Sequence, residues 1–205
     1  MAVEDFTTYT LASAGGTIGV TSTRATATSF MSRNATGYVQ GDKGANHFNG
    51  NFSHLLTVDL TSPASGAVWA QWILSNLTGD LFTQISGGDS LSIYFFDSGP
   101  TLTLRSNQSG VDLIDTFALS NSTIYYLTIA RAGTIFRCDV YSDSGRTTLV
   151  HTLTVTSATA ISYRYITVAS GYNDGGNANT MNGYVENLDL QEGGGGPTLH
   201  AMQLL

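Results

Sequence analysis

The sequence predicts an all-β fold, an antiparallel sandwich of many short strands, and three observations carry that expectation. Runs of roughly five to ten residues rich in Thr, Val, Ile, Tyr and Phe recur along the chain, each closed by Gly, Asn, Asp or Ser. Charged residues make up only 11 % of the chain while apolar residues reach 41 %. An average soluble domain is about 25 % charged, so solubility here rests on Ser, Thr, Asn and Gly, a composition suited to strands and turns rather than exposed helices. No window holds a helical apolar period over three turns. At 205 residues, one domain accommodates the pattern.

Taken in order, the candidate strands are Thr7–Leu11, Thr17–Thr21, Arg24–Ser29, Gly37–Gln40, His47–Leu60, Ala67–Ser75, Ser90–Phe96 and Thr101–Arg105, then Gly110–Leu119, Thr123–Arg131, Thr134–Tyr141, Thr148–Val155, Ser162–Ala169 and Met181–Leu190. A short helical turn near Ser75–Phe82 is the one departure. Arg131-Ala132-Gly133-Thr134 reads as a hairpin, and Asp143-Ser144-Gly145 and Asp97-Ser98-Gly99-Pro100 as turns opened by an Asp side chain.

Alternation assigns the two faces of each strand. In His47–Leu60, Phe48, Phe52, Leu56, Val58 and Leu60 form an inward row, with Asn49, Asn51, Ser53, Thr57 and Asp59 outward and Gly50 at a bend. Trp69 and Trp72 have opposite parity, as do Tyr94/Phe95 and Tyr125/Tyr126. One ring of each pair fills the core, and the other needs a loop, a groove or a partner to cover it. Cys138, the single cysteine, lies in an alternating run and reads as a small buried apolar residue. The glycine tract 193–196, followed by Pro197, reads as a linker. It separates a sandwich over residues 1–190 from a tail over 191–205. The apolar residues Leu199, Met202, Leu204 and Leu205 either lie in a disordered end or form an arm that contacts a neighbouring subunit.

Charge excludes several partners. A net charge of −7, with one lysine and seven scattered arginines, gives no footprint for nucleic acid. No stretch approaches the ~20 apolar residues that span a bilayer, and residues 1–5 lack the character of a signal peptide.

Glu4-Asp5-Phe6-Thr7-Thr8-Tyr9, Gly44-Ala45-Asn46-His47-Phe48 and Tyr184-Val185-Glu186-Asn187-Leu188-Asp189-Leu190 resemble concanavalin A-like lectin/glucanase domains, in particular the laminin-G-like jelly rolls of bacteriophage structural proteins. The resemblance covers roughly Asp5–Leu190. It implies two curved antiparallel sheets with the first and last strands adjacent. Relatives of this kind bind sugars, cleave glycans or serve as adhesion and virion-surface modules, and the fold alone does not select among these.

Catalytic patterns are weak. Glycan-cleaving members place carboxylates on one strand as Glu-x-Asp-x-Glu, whereas the three glutamates here, Glu4, Glu186 and Glu192, lie near the chain ends. Asp112 and Asp115 point to opposite faces, and no nucleophile elbow is present. His47 and His54 likewise fall on opposite faces, against a zinc site. The segment Tyr172–Asn177 gathers hard oxygen ligands in Asn173, Asp174 and Asn177, where the resemblance makes calcium possible; ordinary turn formation is the other reading. Asp42 and Asn46 form a weaker candidate. For sugar stacking the candidate rings are Trp72, Tyr94, Tyr126 and Tyr165.

These observations favour a non-catalytic module requiring no cofactor. It would be of the capsid-decoration type, located at a virion surface, in contact with capsid or sister subunits as a homo-oligomer. The alternative is an extracellular or cell-surface adhesin that binds glycans, and a glycan hydrolase or lyase using unrecognised aspartates is a third reading.

Overall fold

The computed structural model describes residues 3–61, 65–97, 100–177 and 179–192. They form two antiparallel seven-stranded sheets. In spatial order, the first sheet contains β1 (Thr10–Ser13), β4 (Gly37–Asp42), β13 (Tyr165–Val168), β6 (Val68–Ser75), β7 (Ser90–Asp97), β8 (Pro100–Gln108) and β9 (Val111–Ala118). The second contains β12 (Leu149–Thr156), β11 (Ile135–Tyr141), β10 (Ile124–Ala132), β5 (Phe52–Asp59), β14 (Thr180–Glu192), β3 (Arg24–Met31) and β2 (Thr17–Val20). A helix, α1 (Leu81–Gly87), lies between β6 and β7 in sequence.

Every strand expected from alternation has a counterpart, and the differences lie at the ends. Thr7 belongs to a short 3₁₀ turn over Phe6–Thr8, where the Asp5 carboxylate accepts from the Thr7 backbone N–H at 3.0 Å. His47 and Phe48 fall outside β5, and Phe48 makes an isolated bridge to Tyr163. The helical turn sits further along than expected. It starts at Leu81 because Asp80 caps it, accepting from the Thr83 N–H at 3.0 Å.

The inter-sheet core takes alternate residues from both sheets. Phe52, Leu56 and Val58 of β5, together with Leu60, are buried as expected, and His54 shares their parity and burial. Ser53 and Thr57, expected to face solvent, are buried too. The reason is position: β5 is the middle strand of its sheet, and Thr57 lies in register between Tyr126 and Glu186.

The tryptophans break the alternation rule. Trp69 and Trp72 are both 0 % exposed and belong to the same core. A register shift between Ala70 and Trp72 leaves Gln71 as an extra residue opposite β7, which rotates Trp72 to the side already occupied by Trp69. Val68, Ala70 and Ile73 face away and form a smaller apolar cluster with Leu81 and Ile85 of α1. The helix therefore covers part of the first sheet's outer face. The N-terminal segment meets the last strand through a Val3–Asp189 bridge, while β1 itself pairs with β4 in the other sheet.

Candidate functional site

A cleft of ≈ 260 Å³ opens on the outer face of the second sheet, over its central strands. Tyr126 of β10 and Thr57 of β5 are cross-strand partners there, and one pleat further on Leu55 faces Asp189 of β14. The wall beyond Tyr126 is the turn between β11 and β12. Asp143 folds it by accepting from the backbone N–H of Thr147 at 3.1 Å and of Thr148 at 2.5 Å. This turn holds Arg146 at φ 53°, in the left-handed region, and sets its guanidinium 6.0 Å from the Tyr126 ring centre. On the opposite side a bulge between Glu186 and Asp189 puts Asn187 at φ 55°. Two non-glycine residues in sparsely populated backbone conformations thus flank one cleft, each at a cost of about 1–3 kcal/mol.

Arg146 stands apart from the chain's other cations. Six of the eight form ion pairs with carboxylates: Arg24 with Glu186, Arg33 with Asp174, Lys43 with Glu4, Arg105 with Asp112, Arg137 with Asp139 and Arg164 with Asp42. Arg131 is clamped on the carbonyls of Phe48, Ile161 and Gly133. The Arg146 guanidinium has one hydrogen bond, from Nη2 to the Leu56 carbonyl at 3.3 Å, and its Nε is shielded without a partner. Burial lowers its pKa below the usual guanidinium value. Across the cleft, Asp189 accepts from Gln191 at 3.2 Å through Oδ2, and its Oδ1 is shielded without a partner. An unmade bond of this kind costs about 1–3 kcal/mol; both atoms are closed to solvent, while the rest of the guanidinium and of the carboxylate line the cleft as donor and acceptor.

A second cleft of ≈ 290 Å³ opens on the outer face of the first sheet, beside α1. Tyr94 and Phe96 of β7 and Tyr172 of the segment after β13 supply its rings, and Arg33, Asp174 and Arg105 its polar rim. Tyr172 stands edge-on to Phe82 with centroids 5.1 Å apart. Arg33 grips both carboxylate oxygens of Asp174, and Arg105 grips both of Asp112 at 2.9 and 2.6 Å.

The expected site residues separate clearly. Trp72 is not a sugar platform: it is fully enclosed and donates its indole N–H to His54 Nδ1 at 3.2 Å. Tyr126 lies in the first cleft and Tyr94 in the second, while Tyr165 lines neither and packs under Arg164, 5.0 Å from its ring centre. The loop considered for calcium does not fit that ion. Both oxygens of Asp174 bind Arg33, which holds the carboxylate below its usual pKa, Asn173 donates to Thr36 at 3.1 Å, and Asn177 is exposed. Asp42 is likewise engaged by Arg164, at 2.8 and 2.6 Å, and its pKa falls to about 2. Among the described residues, no three His, Cys, Asp or Glu side chains gather as a metal centre. Leu199, Met202, Leu204 and Leu205 lie outside the described residues.

Arg146, Asn187 and Asp189 were not singled out by the sequence. Asn187 and Asp189 belong to the closing motif that carries the family resemblance, where bulged strands break the alternation that would have marked an outward polar pair. Arg146 follows a turn legible at Asp143.

No protein-family model matches the chain, and no curated protein matches it in sequence. Solved structures match its shape. The exoplasmic/lumenal domain of VIP36 in a Ca²⁺/Man₂-bound form has a TM-score of 0.58 at 10 % identity, covering 90 % of this chain and 83 % of that one. A carbohydrate-binding module, CBM66 from Bacillus subtilis, scores 0.50 at 8 % identity over 92 % and 96 %. The CBM2 module of the evolved Dit protein of Lactobacillus casei BL23 phage J-1 scores 0.50 at 14 % identity over 90 % and 93 %. At such identities the likeness establishes the fold, a lectin-like jelly-roll sandwich.

Proposed function

We propose that this chain is a non-catalytic carbohydrate-binding module whose ligand occupies the cleft bounded by Tyr126, Arg146, Asn187 and Asp189. One observation carries the reading: in a chain whose other cations are all committed to carboxylates or to several carbonyls, the Arg146 guanidinium stands beside an aromatic ring with no carboxylate paired to it, and it lines one cleft together with the Asp189 carboxylate. A hydroxyl group can accept from the first and donate to the second, and a sugar offers adjacent hydroxyls beside an apolar ring face. The named structures of like fold, the VIP36 exoplasmic/lumenal domain in a Ca²⁺/Man₂-bound form and the CBM66 and CBM2 modules, support the same reading. On this reading the module acts outside a cell or on a surface, in keeping with the lumenal and phage modules of like fold. Attachment to a virion, expected from the sequence, has the phage module's shared fold in its favour, and co-sedimentation with purified particles would test it.

The experiment is a glycan array read with the wild-type chain, Tyr126→Ala, Asp189→Asn and, as a control, Thr17→Ala at an exposed edge. Loss of a charged-acceptor bond is worth about 1.5–3 kcal/mol, or roughly 10- to 100-fold in affinity. Binding should weaken by that factor in Asp189→Asn, fall in Tyr126→Ala through loss of the ring face, and hold in Thr17→Ala. Binding unaffected by both cleft variants, or absent from every neutral and acidic glycan, overturns the reading. Release of reducing ends from a polysaccharide would instead assign a hydrolase or lyase.

A further inference from the structure

We infer that the second cleft, on the outer face of the first sheet, is an independent sugar subsite, so that one chain holds two glycan segments on opposite faces of the sandwich. The inference rests on the proposed function for the class of ligand, and on separate geometry for the site.

The faces are fixed by register. Tyr126 and Thr57 point away from a core filled by Tyr125, Leu127, Leu56 and Val58. Tyr94 and Phe96 point away from the same core on the other sheet, where Ile93 and Phe95 fill it. The two clefts therefore open in opposite directions, with the whole core between them.

The occupant of the second cleft follows from its charges and rings. α1 covers Val68, Ala70 and Ile73 but leaves Tyr94, Phe96 and Tyr172 only partly buried at its edge. These rings border an open cleft of ≈ 290 Å³. Three partly buried rings converging on one open cleft mark a place for a ligand. Both rim arginines are already neutralised, Arg33 by Asp174 and Arg105 by Asp112. The cleft consequently has no spare charge with which to attract an anion or a cation. It suits an uncharged ring with an apolar face and a hydroxylated edge, that is, a pyranose of a neutral glycan. Its rings come from β7 and from the segment after β13, sharing no residue with the first cleft, so the two sites can be lost one at a time.

The test is a backbone-amide NMR titration of the full chain with three neutral probes in turn: mannotriose, cellotetraose and galactobiose. The inference expects at least one probe to shift two separate sets of amides, one around Tyr126 and Asp189 and one around Tyr94 and Tyr172. Tyr172→Ala should weaken the second set alone by at least about tenfold, equivalent to ~1.4 kcal/mol. Tyr94→Ser is a second variant at the same cleft, and unchanged shifts elsewhere establish that each variant is folded. Movement of the first set alone overturns this inference and leaves the proposed function standing. Movement of the second set alone confirms the subsite and overturns the assignment of the first cleft. If no probe moves either set, this inference fails, and the glycan array decides the first cleft.

Discussion

His54 has no exposed surface, and its hydrogen bonds fix its chemistry. Its Nδ1 receives the Trp72 indole N–H at 3.2 Å, and its Nε2 lies 2.5 Å from Glu192 Oε1. An indole N–H only donates, so Nδ1 must keep its lone pair and the ring proton sits on Nε2, shared with Glu192. A second proton would set two N–H groups against each other inside the core. Burial is the largest influence and lowers the pKa; Glu192 and the more distant Glu4 oppose it, and His47 adds to the lowering. The folded value therefore lies below the unfolded value of about 6.5, so the unfolded chain takes up the proton first. This contribution to stability is complete above about pH 6.5 and is lost as the pH falls from there through the folded value. Urea midpoints should accordingly decline between about pH 7.5 and 5, before the bulk of the carboxylates titrate. His54→Phe removes the buried titrating ring and should flatten that decline, although it lowers stability at neutral pH. An equally steep decline in the variant would place the acid sensitivity elsewhere.

At the scale of elements, β6 shows where alternation stops being readable. Its parity places only one of Trp69 and Trp72 inside, yet the extra residue at Gln71 turns both inward. A bulge leaves no signature in a run such as Val68-Trp69-Ala70-Gln71-Trp72, where every side chain suits a strand, and so the expected sugar platform at Trp72 became core. Gln71 is fully buried, and neither of its amide atoms has a hydrogen-bond partner. Two such atoms cost on the order of 1–3 kcal/mol each. Gln71→Met keeps the bulge residue and its length while removing both polar atoms, and should raise the unfolding free energy by ~1 kcal/mol or more. Deleting Gln71 should do the opposite: one indole must then leave the core, at a cost comparable to the ~3–5 kcal/mol of a large aromatic truncation. Denaturant unfolding measures both. A stable deletion variant would mean that the bulge is not what directs the two rings.

For the whole molecule, the fold was legible because its determinants are repetitive and local: period-two alternation, Asp- and Gly-opened turns, and a surface poor in charge. The clefts were not, because they are assembled at long range. Val3, Leu55, Tyr126, Arg146 and Asp189 meet only after three central strands, one turn and the N-terminal segment have come together, and no spacing in the sequence records that meeting. The same sparse charge sets how the molecule responds to salt. Its net charge of −7 gives mutual repulsion that salt relieves. Its ion pairs, which salt weakens, range from open to half-buried: the Arg164–Asp42 side chains are 43 % and 46 % exposed, those of Lys43–Glu4 21 % and 19 %. Exposed pairs contribute about 0–1 kcal/mol. The two effects oppose each other and both are small, so stability at neutral pH should change by less than ~1 kcal/mol between ~0.05 M and ~0.5 M sodium chloride. Urea unfolding at the two concentrations decides the matter. A loss above ~2 kcal/mol would show that the ion pairs, rather than the core shared by the two sheets, hold the sandwich closed.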